Sequence, residues 1–377
     1  MSKGQVTFLA LGDIWLARQV AEEIARQGAR HPFHRIAPFL KGADVVLGNL
    51  ESPVSTGGSP QRHKDVVARA HPEALEGLSY AGIGLVSLAN NHIMDYGPEA
   101  LGDTLRFLDQ REIGHFGAGM RSREAREPYF YTRHDLRLAF HAYLCWGEAS
   151  RRSIGPAGLD RSLVAQELKD SRRRADFVIT VLHGGVMFQD APTLEMIRLA
   201  HWIIDQGADI VIGHHPHVIQ GIERYKNGLI AYSLGNFLFD SYEHELPDER
   251  VRQGMILKID LRKDGSPNYR YQPIPIRMAD GFQVELVPDG QEKERMLERL
   301  NRLSRSDILS ESRGRLPVDE IDLRDKVSSL LSKGPSFLIG YIPRNFFRIL
   351  RHTLPALFRL TFQKPKKAKR DTRANRS

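Results

Sequence analysis

Three imidazoles, His214, His215 and His217, fall within four positions of one another, directly after the apolar run 208–212. Clustered histidines at the end of a strand place neutral nitrogen donors on the rim of a sheet, where a divalent cation can collect them. Alone, the segment also reads as a polar turn. Four further segments share its layout, an apolar strand-type run ending in a polar or ligand-type residue. VTFLALGD ends at Asp13, ADVVLGNLE at Asn49 and Glu51, IGLVSLANNH at Asn91 and His92, and DFVITVLHGG at His183. In open α/β sheets ligands bind outside the carboxyl ends of the strands, so these residues are expected to converge although far apart in the chain.

The ordered series GD, NLESP, SLANNHIMDYG, GAG, HGG, GADIVIGHHPHVIQGIE and AYSLGNFLFD resembles the capsule-synthesis family called CapA, linked to poly-γ-glutamate, over roughly residues 5–280. That family looks like a branch of the calcineurin-like metallophosphatases. The resemblance implies Asp13, Glu51, Asn91, His183, His215 and His217 as metal ligands, with His214 a weaker candidate. It implies His92 as a general acid or oxyanion donor beside the metal, oriented by Asp95, a spacing similar to the GNHEFDxG motif of 5′-nucleotidases. Two departures stand out. Trp15 occupies the place where phosphatases of the superfamily carry a histidine, and Glu51 replaces the usual bridging aspartate. A centre short of one nitrogen ligand is expected to hold one metal, or to hold its second weakly.

Mixed oxygen and nitrogen donors without a thiolate suit Mn²⁺, Fe, Zn²⁺ or Ni²⁺, one or two ions. Such an ion can bring the pKa of a bound water to about 7. The bond attacked would be a phosphoester or an amide. The function implied by the resemblance is therefore a metal-dependent hydrolase of capsule or other cell-envelope polymer biosynthesis, acting on an anionic polymer or its precursor. A contrasting expectation is a non-catalytic polymer-binding, assembly or export protein on the same fold. Arg62 and Lys64 follow the stretch STGGSP and could meet an anionic substrate, although a charged loop is usually a solvated face. Asn236 in SLGNFLFD could donate to substrate or to a ligand carboxylate, or simply close a turn.

The elements that must position these residues alternate. Helical patterns over 14–27, 73–81, 98–111, 159–174 and 193–206 separate the strand-like runs, which argues for α/β layers with much of the sheet parallel. A β-rich stretch over 218–277 follows, with hairpin signals at Lys226-Asn227-Gly228 and Lys263-Asp264-Gly265. The resemblance adds the architecture, a four-layer α-β-β-α sandwich of the metallo-dependent phosphatase type with a C-terminal helical extension. The expected division is 1–288 for the catalytic-type domain, 289–334 for the extension and 335–377 for a basic amphipathic tail whose end is disordered. Within the extension, 292–305 reads as a charged helix with Met296, Leu297, Leu300 and Leu303 on one side, suited to cap the domain.

At 377 residues, 41% hydrophobic and 27% charged, the chain can bury a large core. Its one cysteine, Cys145, cannot form an internal disulfide. The net charge of +8 is unevenly placed. Residues 335–377 hold 11 Lys or Arg against one Asp, net +10, so residues 1–334 are net −2. No basic face or recognised module points to nucleic acid. On a helix, Phe346, Phe347, Ile349, Leu350, Leu354, Leu357 and Phe358 fall on one arc and Arg344, Arg348, Arg351 and Arg359 on the opposite one. That pattern fits an anionic membrane surface, with a docked or partner-binding helix as alternatives. The first strand begins near Val6, leaving no room in this sequence for a signal peptide. The expected location is cytoplasmic, at the inner face of the membrane where the tail engages it.

Overall fold

The computed structural model describes residues 4–62, 64, 66–146, 154–240, 249–263 and 269–305. The tail expected over 335–377 lies outside the described residues, as does most of the extension. The strands are β1 (Gln5–Ile14), β2 (Val45–Leu50), β3 (Leu85–Ser87), β4 (Gly114–Phe116), β5 (Ala118–Gly119), β6 (Tyr129–Arg133), β7 (Leu136–Leu144), β8 (Gly155–Pro156), β9 (Phe177–His183), β10 (Ile210–His214), β11 (Ile222–Tyr225), β12 (Gly228–Ala231), β13 (Asn236–Leu238), β14 (Gln253–Arg262), β15 (Tyr269–Met278) and β16 (Val284–Leu286). The helices are α1 (Arg18–Gln27), α2 (Ala37–Leu40), α3 (Leu75–Ala81), α4 (Gly97–Gln110), α5 (Ser122–Arg126), α6 (Arg161–Arg172), α7 (Leu194–Asp205) and α8 (Gln291–Leu303).

One sheet runs β16-β15-β14-β1-β2-β3-β4, with β13 also paired to β1; a second runs β11-β12-β10-β9-β7-β6. The period of two along each strand separates the layers. On β1, Leu9 and Leu11 join the core beneath the helices from α1 to α4, while Val6, Phe8 and Ala10 join the core between the sheets. On β9, Val178 and Leu182 face α6 and α7, while Phe177, Ile179 and Val181 face the other sheet. Phe8 meets Phe140 across the middle layer edge-on, with ring centroids 5.7 Å apart. The result is the four-layer α-β-β-α sandwich.

Four of the five predicted helices have both ends within two residues of their expected positions. The fifth differs. The sequence pattern predicts helix from residue 14, yet β1 continues through Ile14 and α1 starts at Arg18. Two parallel neighbours explain this, since Asp13 and Ile14 pair with Asn49 and Leu50 on β2 and with Asn236 and Leu238 on β13. Paired on both sides, the segment gains ladder bonds that a first helical turn cannot offer. Gly12 permits the β13 contact, because a Cβ there would lie 2.1 Å from Gly235 O.

The first hairpin forms as expected, with β11 antiparallel to β12 around Lys226 at φ +52°. The second joins β14 to β15, and its turn lies outside the described residues. Helix α8 adds Met296 and Leu300 to the core between the sheets, and Arg299 pairs with Asp190 at 2.6 Å. No helix among the described residues is long and apolar enough to cross a membrane.

Candidate metal centre

Both sheets present parallel strands whose carboxyl ends open on the same side. From the first come Asp13 at the end of β1, Asn49 at the end of β2 and Glu51 just after it. His183 closes β9 and pairs in register with His214, which closes β10. His215 and His217 follow with φ of +97° and +58°, a left-handed backbone that non-glycine residues rarely adopt. Strain of this kind persists where surrounding structure fixes it, and here it turns both rings inward.

The ligand-type atoms gather in two groups that share one carboxylate. Glu51, His183 and His215 form the first, and Asp13, Glu51 and His217 the second, all donor atoms in each lying within 4.8 Å of one another. Asn91 joins the first group, its Oδ1 2.8 Å from His183 Nε2. Glu51 Oε1 is 3.4 Å from His183 Nε2 and 3.9 Å from His217 Nε2. Both Glu51 oxygens are buried without a hydrogen-bond donor among the described residues, and so is His215 Nδ1. A buried carboxylate with neither oxygen satisfied is costly, and a cation between the groups would satisfy it. The donor set thus fits one or two divalent ions. His214 stands aside, its Nδ1 2.9 Å from Asp13 Oδ1.

Electrostatics point the same way. Burial pushes the Glu51 carboxyl well above the usual carboxylate range, and the nearby Asp13 adds to the effect. Burial works against ionisation of Asp13 too, but His214 and His217 outweigh it and hold that carboxyl well below its ordinary value. Burial and the neighbouring His215 hold His183 well below its ordinary value, and burial and His217 bring His215 down to about 3. Neutral imidazoles are the ligating form.

Around this centre, His92 Nδ1 lies 2.7 Å from Asp95 Oδ2, so the two residues form a dyad at its edge. Burial lowers the pKa of His92, and the Lys64 charge lowers it further. Lys64 itself lies against the dyad, with Nζ 2.7 Å from Asn91 O and 3.1 Å from His92 Nδ1, and it also pairs with Asp95. Arg62 is exposed. Asn236 accepts from His217 Nδ1 at 3.0 Å and donates to Val251 O, so it orients a ligand ring. Trp15, 1% exposed, supplies no ligand; its ring packs edge-on to His92 at 4.9 Å and against Phe239 at 5.1 Å.

Sequence reasoning missed Asn90 and Trp146, and it placed Asn49 at a strand end without a role. Asn49 donates to Asp13 Oδ1 at 2.8 Å, and Asn90 donates to Leu50 O while its Oδ1 accepts from His92 N and Ile93 N. Both sit beside motif residues, and a strand-end asparagine was the available signal. Trp146, 38% exposed, packs tilted against the His215 ring, with centroids 4.5 Å apart. It reads in sequence as the end of an apolar run.

The profile described as bacterial capsule synthesis protein PGA_cap matches residues 7–241. The "PGA biosynthesis protein CapA" of Bacillus subtilis is 30% identical over 275 residues, 71% of each chain. The "Capsule biosynthesis protein CapA" of Bacillus anthracis is 29% identical over 284 residues, 72% of this chain and 68% of that one. Among solved structures, a 5′-nucleotidase from Candida albicans aligns with TM-score 0.39 and 10% identity, covering 82% of this chain and 59% of that one, too distant to carry weight.

Proposed function

Because the chain belongs to the bacterial capsule synthesis family PGA_cap, we propose that it is a metal-dependent hydrolase of cell-envelope polymer biosynthesis, acting on a phosphoester or amide bond of an anionic polymer or its precursor. The observation that carries this is the convergence of Asp13, Glu51, Asn91, His183, His215 and His217 into two donor groups around one shared, unsatisfied carboxylate. The capsule and PGA biosynthesis names of the two Bacillus relatives support the polymer as substrate class.

Asp13, Glu51 and His217 would hold one ion, and Glu51, Asn91, His183 and His215 the other; Mn, Fe, Zn and Ni all suit the donors. When bound, such an ion supplies a Lewis acid and a water acidic enough to ionise near neutral pH. His92 is held by Asp95 at its Nδ1, which leaves Nε2 to exchange a proton with the leaving group or to donate to a developing oxyanion. Asn236 fixes the rotation of His217, and Asn49 fixes that of Asp13. Arg62, on the exposed loop between Glu51 and Asn91, would attract an anionic substrate. The basic, amphipathic pattern of 335–377 would bring the protein to an anionic membrane surface from the cytoplasmic side.

A second function, polymer binding or assembly without turnover, is favoured by Trp15. With no nitrogen from that position, the Asp13 group has three donors and the Asn91 group four. The two are separated with metal-loaded full chain and its His92→Ala variant, using a chromogenic phosphodiester and a γ-glutamyl peptide as probes. A hydrolase loses roughly 10²–10⁴ of its turnover in the variant with metal content intact, the usual worth of a positioned acid or base. Turnover equal in both proteins would remove His92 from the mechanism, and no turnover of either probe by the metal-loaded wild type would favour the binding function.

A further inference from the structure

The loop that follows Glu51 is pinned at its base and then reaches across to the Asn91–Asp95 turn. Val54 bridges to Ala70, and Ser55 N donates to Ala70 O at 3.0 Å. From the loop, Gln61 N donates to Asp95 O and Gln61 Nε2 to Met94 O, both at 2.8 Å, and Ala68 N donates to Asp95 Oδ2 at 2.7 Å. Lys64 completes the set. Its ammonium lies 2.7 Å from Asn91 O and 3.1 Å from His92 Nδ1, and it pairs with Asp95 Oδ1. An ammonium has three N–H donors and no acceptor, so Asn91 O and Asp95 Oδ1 each accept one, while His92 Nδ1, which gives its hydrogen to Asp95 Oδ2, lies beside the charge. Its side chain is 24% exposed and Asp95 is fully buried, so this contact is shielded from the screening that weakens surface pairs.

We propose that Lys64 is a positioning residue of the metal centre and not a substrate contact. It ties the loop rooted beside Glu51 to the turn that carries Asn91 and His92, and so sets the Asn91 donor against His183 and the His92 ring against the site. One charge thereby fixes residues from both donor groups' surroundings, the shared carboxylate at the loop's root and the amide donor at its far end. The metal arm of this proposal rests on the donor groups alone, and its kinetic arm rests on the hydrolase function proposed above.

The test compares full-length wild type, Lys64→Met, Lys64→Gln and Lys64→Arg, using Mn²⁺ alone as the binding probe and bis(p-nitrophenyl) phosphate as the kinetic one. Changing a residue that orients ligands typically costs 10–100-fold in metal affinity or activity. Lys64→Met should therefore weaken calorimetric Mn²⁺ binding by about 10-fold and lower kcat by about 10–100-fold, with KM changed less than about threefold. Lys64→Gln supplies the same comparison should the Met variant not fold. Lys64→Arg, which keeps charge and reach, should recover most of both. A rise in KM at unchanged kcat would make Lys64 a substrate contact and overturn the proposal, as would Met and Gln variants with wild-type affinity. If wild type binds Mn²⁺ but leaves the diester intact, the hydrolase function fails for that ester and Mn²⁺ affinity alone decides the role of Lys64. Wild type that takes up no Mn²⁺ would overturn both.

Discussion

Replacing Glu51 with glutamine should move stability in opposite directions with and without metal. The side chain is fully buried, neither oxygen accepts a hydrogen bond from the described residues, and its carboxyl is pushed well above the usual range by burial and by Asp13. A carboxyl whose pKa is raised on folding binds more protons in the native state, so stability is lost as pH rises above its unfolded value of 4.5. At about 1.4 kcal/mol per pH unit, the loss between there and pH 7 has a ceiling of about 3.5 kcal/mol. Glutamine keeps the shape and removes the charge, so metal-free Glu51→Gln should be more stable than metal-free wild type by about 1–3 kcal/mol at pH 7, and the gain should shrink towards pH 4.5. With metal the order reverses. Both donor groups lose their shared anion, so the stabilisation by bound ion, which grows with the ratio of free metal to Kd, should largely vanish. Urea melts of chelator-treated and Mn²⁺-loaded protein at several pH values provide the measurement. A variant less stable than wild type without metal, and equally stabilised by added Mn²⁺, would refute the role assigned to Glu51.

Three further outcomes are expected. His141, away from the centre, is lowered to about 4 by burial and by Arg126, whereas the unfolded chain takes up that proton near 6.5. Between those values the unfolded state binds more protons, so stability should fall by up to about 3 kcal/mol as pH drops from 6.5 to 4, and His141→Gln should flatten that slope in denaturant titrations. Trp15→His should tighten the weaker of two Mn²⁺ affinities in calorimetry by adding a nitrogen beside Asp13; an unchanged weak affinity would mean that position 15 does not face the ion. Deleting residues 335–377 should abolish co-sedimentation with anionic vesicles, since basic residues near such a surface contribute about 1 kcal/mol each, and should leave Mn²⁺ binding intact. A truncated protein that loses metal would instead show the segment to be part of the folded domain.

The clustering of the candidate ligands was legible in the sequence because their chemistry and their placement coincide. Each of Asp13, Asn91, His183 and His215 follows an apolar run, and strand ends are where α/β sheets gather ligands. The boundary between β1 and α1 was not legible, since 14–17 carry apolar residues that suit either element and the deciding partner, β13, lies more than two hundred residues away. In the sequence Lys64 suits a solvated or substrate-facing charge, because nothing local announces that a loop lysine will meet Asn91, His92 and Asp95. Trp146 and Asn236 escaped full reading for the same reason, as their partners His215 and His217 are set by tertiary packing. The short helices α2 and α5 span too few residues to show a helical period.

Elemental analysis of the full chain, purified without chelator and then dialysed, tests the centre most directly. The two donor groups predict between one and two equivalents of Mn, Fe, Zn or Ni per chain, as expected for a mixed oxygen and nitrogen donor set, with content falling in His183→Ala and His215→Ala and holding in His92→Ala. Wild type that retains no transition metal after loading with each of these ions, or alanine variants at His183 and His215 that retain as much as wild type, would contradict the assignment of these residues as a metal centre.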